Sequence, residues 1–189
     1  MDGDPEESHT VDGRMMGGVA DGFERLWTPH RMAYIEDGKD RATYDENACP
    51  LCTKVDMPDR DALVVHRGEH CYVVLNLYPY NPGHLMVCPY RHIGWYTEAT
   101  DAERDEIGVL TQQAMRVLTN VSGTQGFNIG MNQGAIGGAG ISEHLHQHVV
   151  PRWMGDSNFL PIIAKTKAVP QLLDDTWRRV SEAWEQQQS

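Results

Sequence analysis

Ser142-Glu143-His144-Leu145-His146-Gln147-His148-Val149-Val150-Pro151-Arg152-Trp153 carries the pattern that decides the fold. Residues two apart in a strand point the same way, so a strand over 144–152 puts His144, His146 and His148 on one face. Leu145, Gln147 and Val149 then line the other face, where two of the three suit a core. Three imidazoles on one face are costly unless each finds a partner. Two chemical uses fit: a metal site, or attack by an imidazole nitrogen on phosphorus with a neighbouring histidine donating to the phosphate oxygens.

Working back from the histidines, a glycine-rich loop spans Gly134 to Gly140, preceded by strand-like Gly126 to Asn132. Thr100-x-x-Glu103 is a capping box, and Ile107, Leu110, Ala114 and Leu118 recur at helical spacing, which predicts a long helix over 101–119. Three further strands are expected at Ala62 to His66, Cys71 to Leu77 and His84 to Cys88, with turn residues Arg67-Gly68 and Tyr78-Pro79-Tyr80-Asn81-Pro82-Gly83 between them. Downstream, Pro170 opens a C-terminal helix in which Leu173, Trp177, Val180 and Trp184 share a face. The order strands, helix, strands, helix predicts an α+β fold with an antiparallel sheet of about five strands, a long central helix and a C-terminal helix.

Residues 1–22 are rich in Asp, Glu and Gly without periodicity and read as a disordered acidic tail, leaving 23–189 as a single domain with terminal extensions. Leu26 to Ile35 brings large side chains, with Thr28-Pro29 placed to start a short helix. The net charge of −11 argues against a nucleic-acid surface. It leaves room for a small polyanion held by backbone N–H groups, amides and histidines. No apolar run reaches the ~20 residues of a membrane span, and the start lacks a signal-peptide pattern, so a cytoplasmic location is expected. Among the four cysteines, Cys71 and Cys88 read as small buried hydrophobes. Cys49-Pro50-Leu51-Cys52 has the spacing of a zinc half-site. The rival redox reading prefers a Cys-x-x-Cys that opens a helix after a strand, and no clear strand precedes this one.

His-x-His-x-His-Val-Val-Pro resembles the signature of the histidine triad family. Asn76 with Pro82-Gly83-His84-Leu85-Met86-Val87-Cys88-Pro89, and Asn132-x-Gly134, resemble that family's upstream segments, so the likeness covers residues 48–153. The resemblance implies the histidine triad fold and at least a homodimer, built through a helix and a sheet edge. It implies that His146 is the nucleophile forming a nucleotidyl-histidine, and that His148 contacts phosphate or ribose. Asn76 is expected at the ribose hydroxyls, although on its own it also reads as a turn residue. Asn132 and the backbone of Gly140, Ile141 and Ser142 are expected at the reacting phosphate. His84 reads as a packed turn histidine. Some members couple a Cys-x-x-Cys to two histidines, which implies a structural zinc on Cys49, Cys52, His92 and His144. Gln147, where the family usually has an apolar residue, departs from the pattern, as does a loop between Asn132 and His144 that is one residue longer.

The flanks Leu26-Trp27-Thr28-Pro29-His30-Arg31-Met32 and Pro151-Arg152-Trp153-x-Gly155-Asp156-x-Asn158-Phe159 resemble an actinobacterial branch whose members include diadenosine tetraphosphate phosphorylases. The implied substrates are the dinucleotide and inorganic phosphate. His148 is a residue that many hydrolases of the family keep, so water remains an alternative acceptor, and a nucleotide-binding protein without turnover is a further alternative.

Overall fold

The computed structural model describes residues 49–134, 136–156 and 172–188, together with Thr10–Val11 and Arg14–Met15. The segment Leu26 to Ile35, Asn158, Phe159 and Pro170 lie outside the described residues. The chain divides into two units, Met1–Lys39 and Asp40–Ser189. In the first, β1 (Thr10–Val11) pairs antiparallel with β2 (Arg14–Met15), Thr10 opposite Met15.

The second unit holds one antiparallel sheet in the order β3-β4-β5-β7-β6. Its strands are β3 (Val64–Arg67), β4 (Cys71–Leu75), β5 (Leu85–Pro89), β6 (Gly126–Met131) and β7 (Gln147–Arg152). Alternation along β4 and β5 divides the core between the two faces. Cys71, Val73, Leu75, Leu85 and Val87 point to one cluster, which is completed by two helices. Tyr72, Val74, Met86 and Cys88 point to a second cluster with Cys49, Leu51 and Ala62. The Cys-x-x-Cys segment therefore covers the sheet face opposite the helices, and Cys71 and Cys88 are both fully buried.

The helix after the capping box, α2 (Asp101–Ser122), runs three residues beyond the expected end. Thr100 Oγ1 accepts from the Glu103 N–H, and Gly123 stops the helix at φ 59°. Its buried Ile107, Leu110, Ala114 and Leu118 are the apolar stripe read from the sequence, and Val117 is buried beside them. Glu106 reaches off the helix and accepts the Glu69, His70 and Cys71 N–H groups, which holds the β3–β4 turn. α3 (Leu173–Gln188) buries Val180 and Trp184 in the same cluster, and Trp177 Nε1 donates to the Val64 carbonyl.

Two sequence expectations shift. Ala62 ends a short helix, α1 (Asp59–Ala62), and Leu63 turns the chain at φ 61°, so β3 starts at Val64. Regular β7 starts at Gln147, which leaves His144 and His146 in the approach to the strand. The facing survives the irregularity: Leu145 and Val149 lie in the helix-side cluster. Gln147 Nε2 donates to Thr111 Oγ1 on α2, so the unusual polar residue is satisfied by the helix.

Candidate active site and metal cluster

Cross-strand register places the histidine face. Val74, Met86, His148 and Gly130 sit opposite one another across β4, β5, β7 and β6, which puts their side-chain positions in one row. Gly130 ends that row, and a Cβ there would meet nothing within 4 Å. Across the β6–β7 pair, His148 therefore faces a position that carries no side chain.

Backbone donors then set the ring nitrogens. The Tyr80 N–H donates to His84 Nδ1 at 3.1 Å, so that nitrogen is an acceptor and His84 carries its proton on Nε2. His84 Nε2 lies 3.0 Å from His148 Nδ1 and donates to it. His148 is left with its proton on Nε2, the nitrogen 3.4 Å from Asn132 Nδ2. Two donors cannot bond to each other, so an N–H on Nε2 requires the Asn132 amide to be turned with its oxygen in that place. Burial, with His146 adding to it, pushes His148 down to about 4, so the neutral donor is the form present near neutrality.

His146 is 5% exposed, and its Nδ1 lies 2.7 Å from the His144 carbonyl. A carbonyl can only accept, so Nδ1 holds the proton and Nε2 keeps its lone pair. Burial lowers the His146 pKa, opposed by the bond to His144. The two rings meet edge to face with centroids 4.8 Å apart. A neutral imidazole with a free Nε2 beside an Nε2–H donor suits attack on phosphorus.

The remaining sequence-derived residues fall around this pair. Asn76 Oδ1 accepts the Tyr78 N–H, closing an Asx turn, while its Nδ2 lies 3.3 Å from His84 Nδ1. It is therefore one ring removed from His148. Gly134 at φ 68° and Gly138 at φ 86° bend the loop after Asn132. A Cβ at Gly137 would lie 2.3 Å from the Gln133 carbonyl oxygen, so only glycine fits there. Gly140 is exposed, Ile141 packs on the second core cluster, and Ser142 Oγ donates to Glu143. The sequence reading missed what His84 does. It is buried as a packed turn histidine would be, yet it also sets the tautomer of His148. A histidine closing a turn, directly before a strand that pairs with the histidine strand, was the available signal.

Cys49, Cys52, His92 and His144 come together with their ligand atoms within 4.8 Å of one another. Cys49 Sγ and Cys52 Sγ lie 3.4 and 3.3 Å from His144 Nδ1, and Cys52 Sγ is 3.3 Å from His92 Nδ1. His144 Nε2 donates to the Pro89 carbonyl at 2.9 Å, which leaves Nδ1 as a lone pair aimed at the sulfurs. That is the outer hydrogen bond expected behind a metal-bound histidine, and two sulfurs with two imidazole nitrogens can hold a metal ion. Arg91, next to His92, forms a two-pronged pair with Glu103 at 2.7 Å for each contact. Arg91 is the main reason the Glu103 carboxyl is held down at about 2.

Residues 58–154 match the HIT domain family, and they include β3 to β7 and all three triad histidines. The chain belongs to the HIT family. HIT members of known name agree with an enzyme here: an AP-4-A phosphorylase of Mycobacterium tuberculosis (strain ATCC 25618 / H37Rv) is 47% identical over 184 residues, 96% of this chain and 94% of that one. A Schizosaccharomyces pombe bis(5'-nucleosyl)-tetraphosphatase (asymmetrical) is 28% identical over 93 residues, 49% of this chain and 50% of the other. The fold matches that of a zinc-bound histidine triad family protein from Mycobacterium smegmatis with a TM-score of 0.61 and 22% identity, covering 76% of this chain and 98% of that one. Among the described residues no helix is long and apolar enough to cross a membrane.

Proposed function

We propose that this HIT protein cleaves diadenosine tetraphosphate with inorganic phosphate, giving ATP and ADP through a nucleotidyl-histidine on His146. The observation that carries the chemistry is the Nδ1–H bond from His146 to the His144 carbonyl, which leaves Nε2 free to attack. His146 Nε2 bonds to the α-phosphorus of one adenylate as the bond to the bridging oxygen breaks, and ATP leaves. The Nε2–H of His148 donates to the non-bridging oxygens, where charge is concentrated in the transition state. Asn132 and the backbone of Gly140, Ile141 and Ser142 hold the same phosphate, and Asn76 holds the ribose. An oxygen of inorganic phosphate then attacks phosphorus, the P–N bond breaks, and ADP forms with release of one proton. Water in place of phosphate would give AMP.

Phosphate as acceptor rests on the phosphorylase relative matched over nearly the whole chain. Hydrolysis is the second reading, favoured by the third triad histidine, His148. Cys49, Cys52, His92 and His144 would hold zinc, whose tetrahedral bonding would tie the 49–52 segment to the approach to β7. Pairing of two chains is expected through β6, an edge strand with Ile129 46% exposed, and through α2, where Val109 is exposed.

The test is incubation of purified protein with diadenosine tetraphosphate, with and without radioactive phosphate, followed by anion-exchange separation. ATP and labelled ADP only with phosphate establish the phosphorylase. AMP and ATP without phosphate establish the hydrolase. No turnover of this or an adenosine phosphoramidate overturns both.

A further inference from the structure

The turn that fixes the His148 tautomer is itself irregular. Residues 76–84 connect β4 to β5 without regular structure, and Gly83 within them sits at φ 79°. Yet the Tyr80 N–H must stay on His84 Nδ1 for the chain of ring nitrogens to hold. The same turn is braced by the His84 N–H on the Asn81 carbonyl at 3.1 Å.

The side chain of Asn81 reaches across to the far end of β7. Its Nδ2 donates to the Pro151 carbonyl at 3.0 Å and to Asp156 Oδ2 at 2.8 Å, a residue 75 positions later. Asp156 is 11% exposed in its side chain and is the hub of this region. Its Oδ2 also accepts from Arg152 Nε at 2.6 Å and the Trp153 N–H at 3.0 Å, while Oδ1 accepts from Arg152 Nη2 at 2.8 Å. Arg152 Nη1 goes on to Asn128 Oδ1 on β6 at 2.6 Å. With Arg152 40% exposed, the Arg–Asp pair contributes little by itself. The distinctive feature is a carboxylate turned inward to hold the amide of a distant turn.

We infer that Asp156 is a positioning residue. By gripping Asn81 it holds the 80–84 turn on the end of β7, which keeps the Tyr80 N–H on His84 and so keeps the proton of His148 on Nε2. This rests on the reading of His148 as a phosphate donor, but the structural half stands independently of the substrate.

The test uses the full chain labelled with ¹⁵N-histidine, whose long-range ¹H–¹⁵N spectra report which ring nitrogen carries the proton. His148 and His84 signals are assigned by their loss in His148→Gln and His84→Gln. In the wild type both rings should be protonated on Nε2. Asp156→Ala and Asn81→Ala should each turn the His148 signals into a tautomer mixture. They should also lower kcat on the order of tenfold, with KM changed less than about twofold. The double variant should be no worse than the poorer single one, because one residue acts through the other.

Asp156→Asn, which loses the charge but keeps an oxygen for Asn81, guards against simple misfolding and should retain the His148 tautomer. Wild-type tautomers in Asp156→Ala, additive losses in the double variant, or a full loss of tautomer order in Asp156→Asn would each overturn the inference. If the wild type turns over no dinucleotide, the proposed function fails and the ring-nitrogen readout still decides this one.

Discussion

His144 and His148 lie four residues apart on one stretch of chain, and the structure uses them in opposite senses. His144 donates its Nε2–H to the Pro89 carbonyl and aims a bare Nδ1 at two sulfurs. His148 accepts on Nδ1 and turns its Nε2–H toward Asn132. The first end could hold a cation, and the second would suit an anion. Residue type does not distinguish them. The group behind each ring does: a carbonyl at one end, and at the other a histidine whose own tautomer is set by a backbone N–H.

Between them lies His146, and removing it separates chemistry from scaffold most sharply. His146→Ala should abolish turnover of diadenosine tetraphosphate, a loss of at least about 10⁴-fold in kcat, because the proposed covalent intermediate forms on that ring. Zinc content and the unfolding midpoint should stay near wild type. Rapid-quench detection of labelled nucleotidyl-protein checks the same point: wild type should carry the label and the variant none. A labelled variant would place the nucleophile elsewhere.

The opposite break is Cys49→Ser. It removes one sulfur from a fully buried position and should cost the protein its metal, read as zinc per chain by mass spectrometry. The unfolding midpoint should fall by about 5 °C or more, since ~2 kcal/mol corresponds to a shift of that size in a chain of this length. An unchanged midpoint with unchanged metal would remove Cys49 from the ligand set.

The two ends were unequally legible. The Cys-x-x-Cys spacing and the triad alternation are local patterns, and apart from the start of β7 the strand ends lie within two residues of where period-two runs put them. The irregular approach to β7 was not legible, because alternating histidines look the same whether the backbone pairs or only follows the same facing. The relay from Tyr80 through His84 to His148, and the grip of Asp156 on Asn81, join residues far apart in sequence. No periodicity marks such contacts, and a turn asparagine or a lone Asp after a strand reads as ordinary polar surface.

A smaller effect tests the donor end through pH. His148 is buried, mainly for that reason titrates near 4, and is surrounded by His84, His146, Tyr80 and Asn132. An unfolded histidine takes up its proton near 6.5, so the unfolded state binds more protons than the folded one between roughly pH 6.5 and 4. The stability contribution is complete above 6.5 and is lost as pH falls through that window. His148→Gln should make stability less steeply pH-dependent there, by up to about 1.4 kcal/mol per pH unit, in urea titrations at stepped pH. An identical slope would mean that His148 takes up its proton at the same pH in the folded and unfolded chains, so that burial does not hold it neutral below pH 6.5.

The smallest effect belongs to the support of the cation end. Thr100 caps α2 and its Oγ1 lies 3.1 Å from Glu103 Oε2, while Glu103 holds Arg91 beside His92. Thr100→Ala removes the cap and one contact of a buried carboxylate, which should cost about 1 kcal/mol, seen as a midpoint lower by about 2–4 °C. Because the Arg91–Glu103 pair stays, the His92 segment keeps its anchor, and chelator competition should show metal affinity within about twofold of wild type. The tautomer of His148 and kcat should not move, since the relay through Tyr80 and His84 shares no residue with this cap. A drop in kcat on losing Thr100 would mean that the two ends are coupled through α2, and the independence drawn from their separate backing groups would fail.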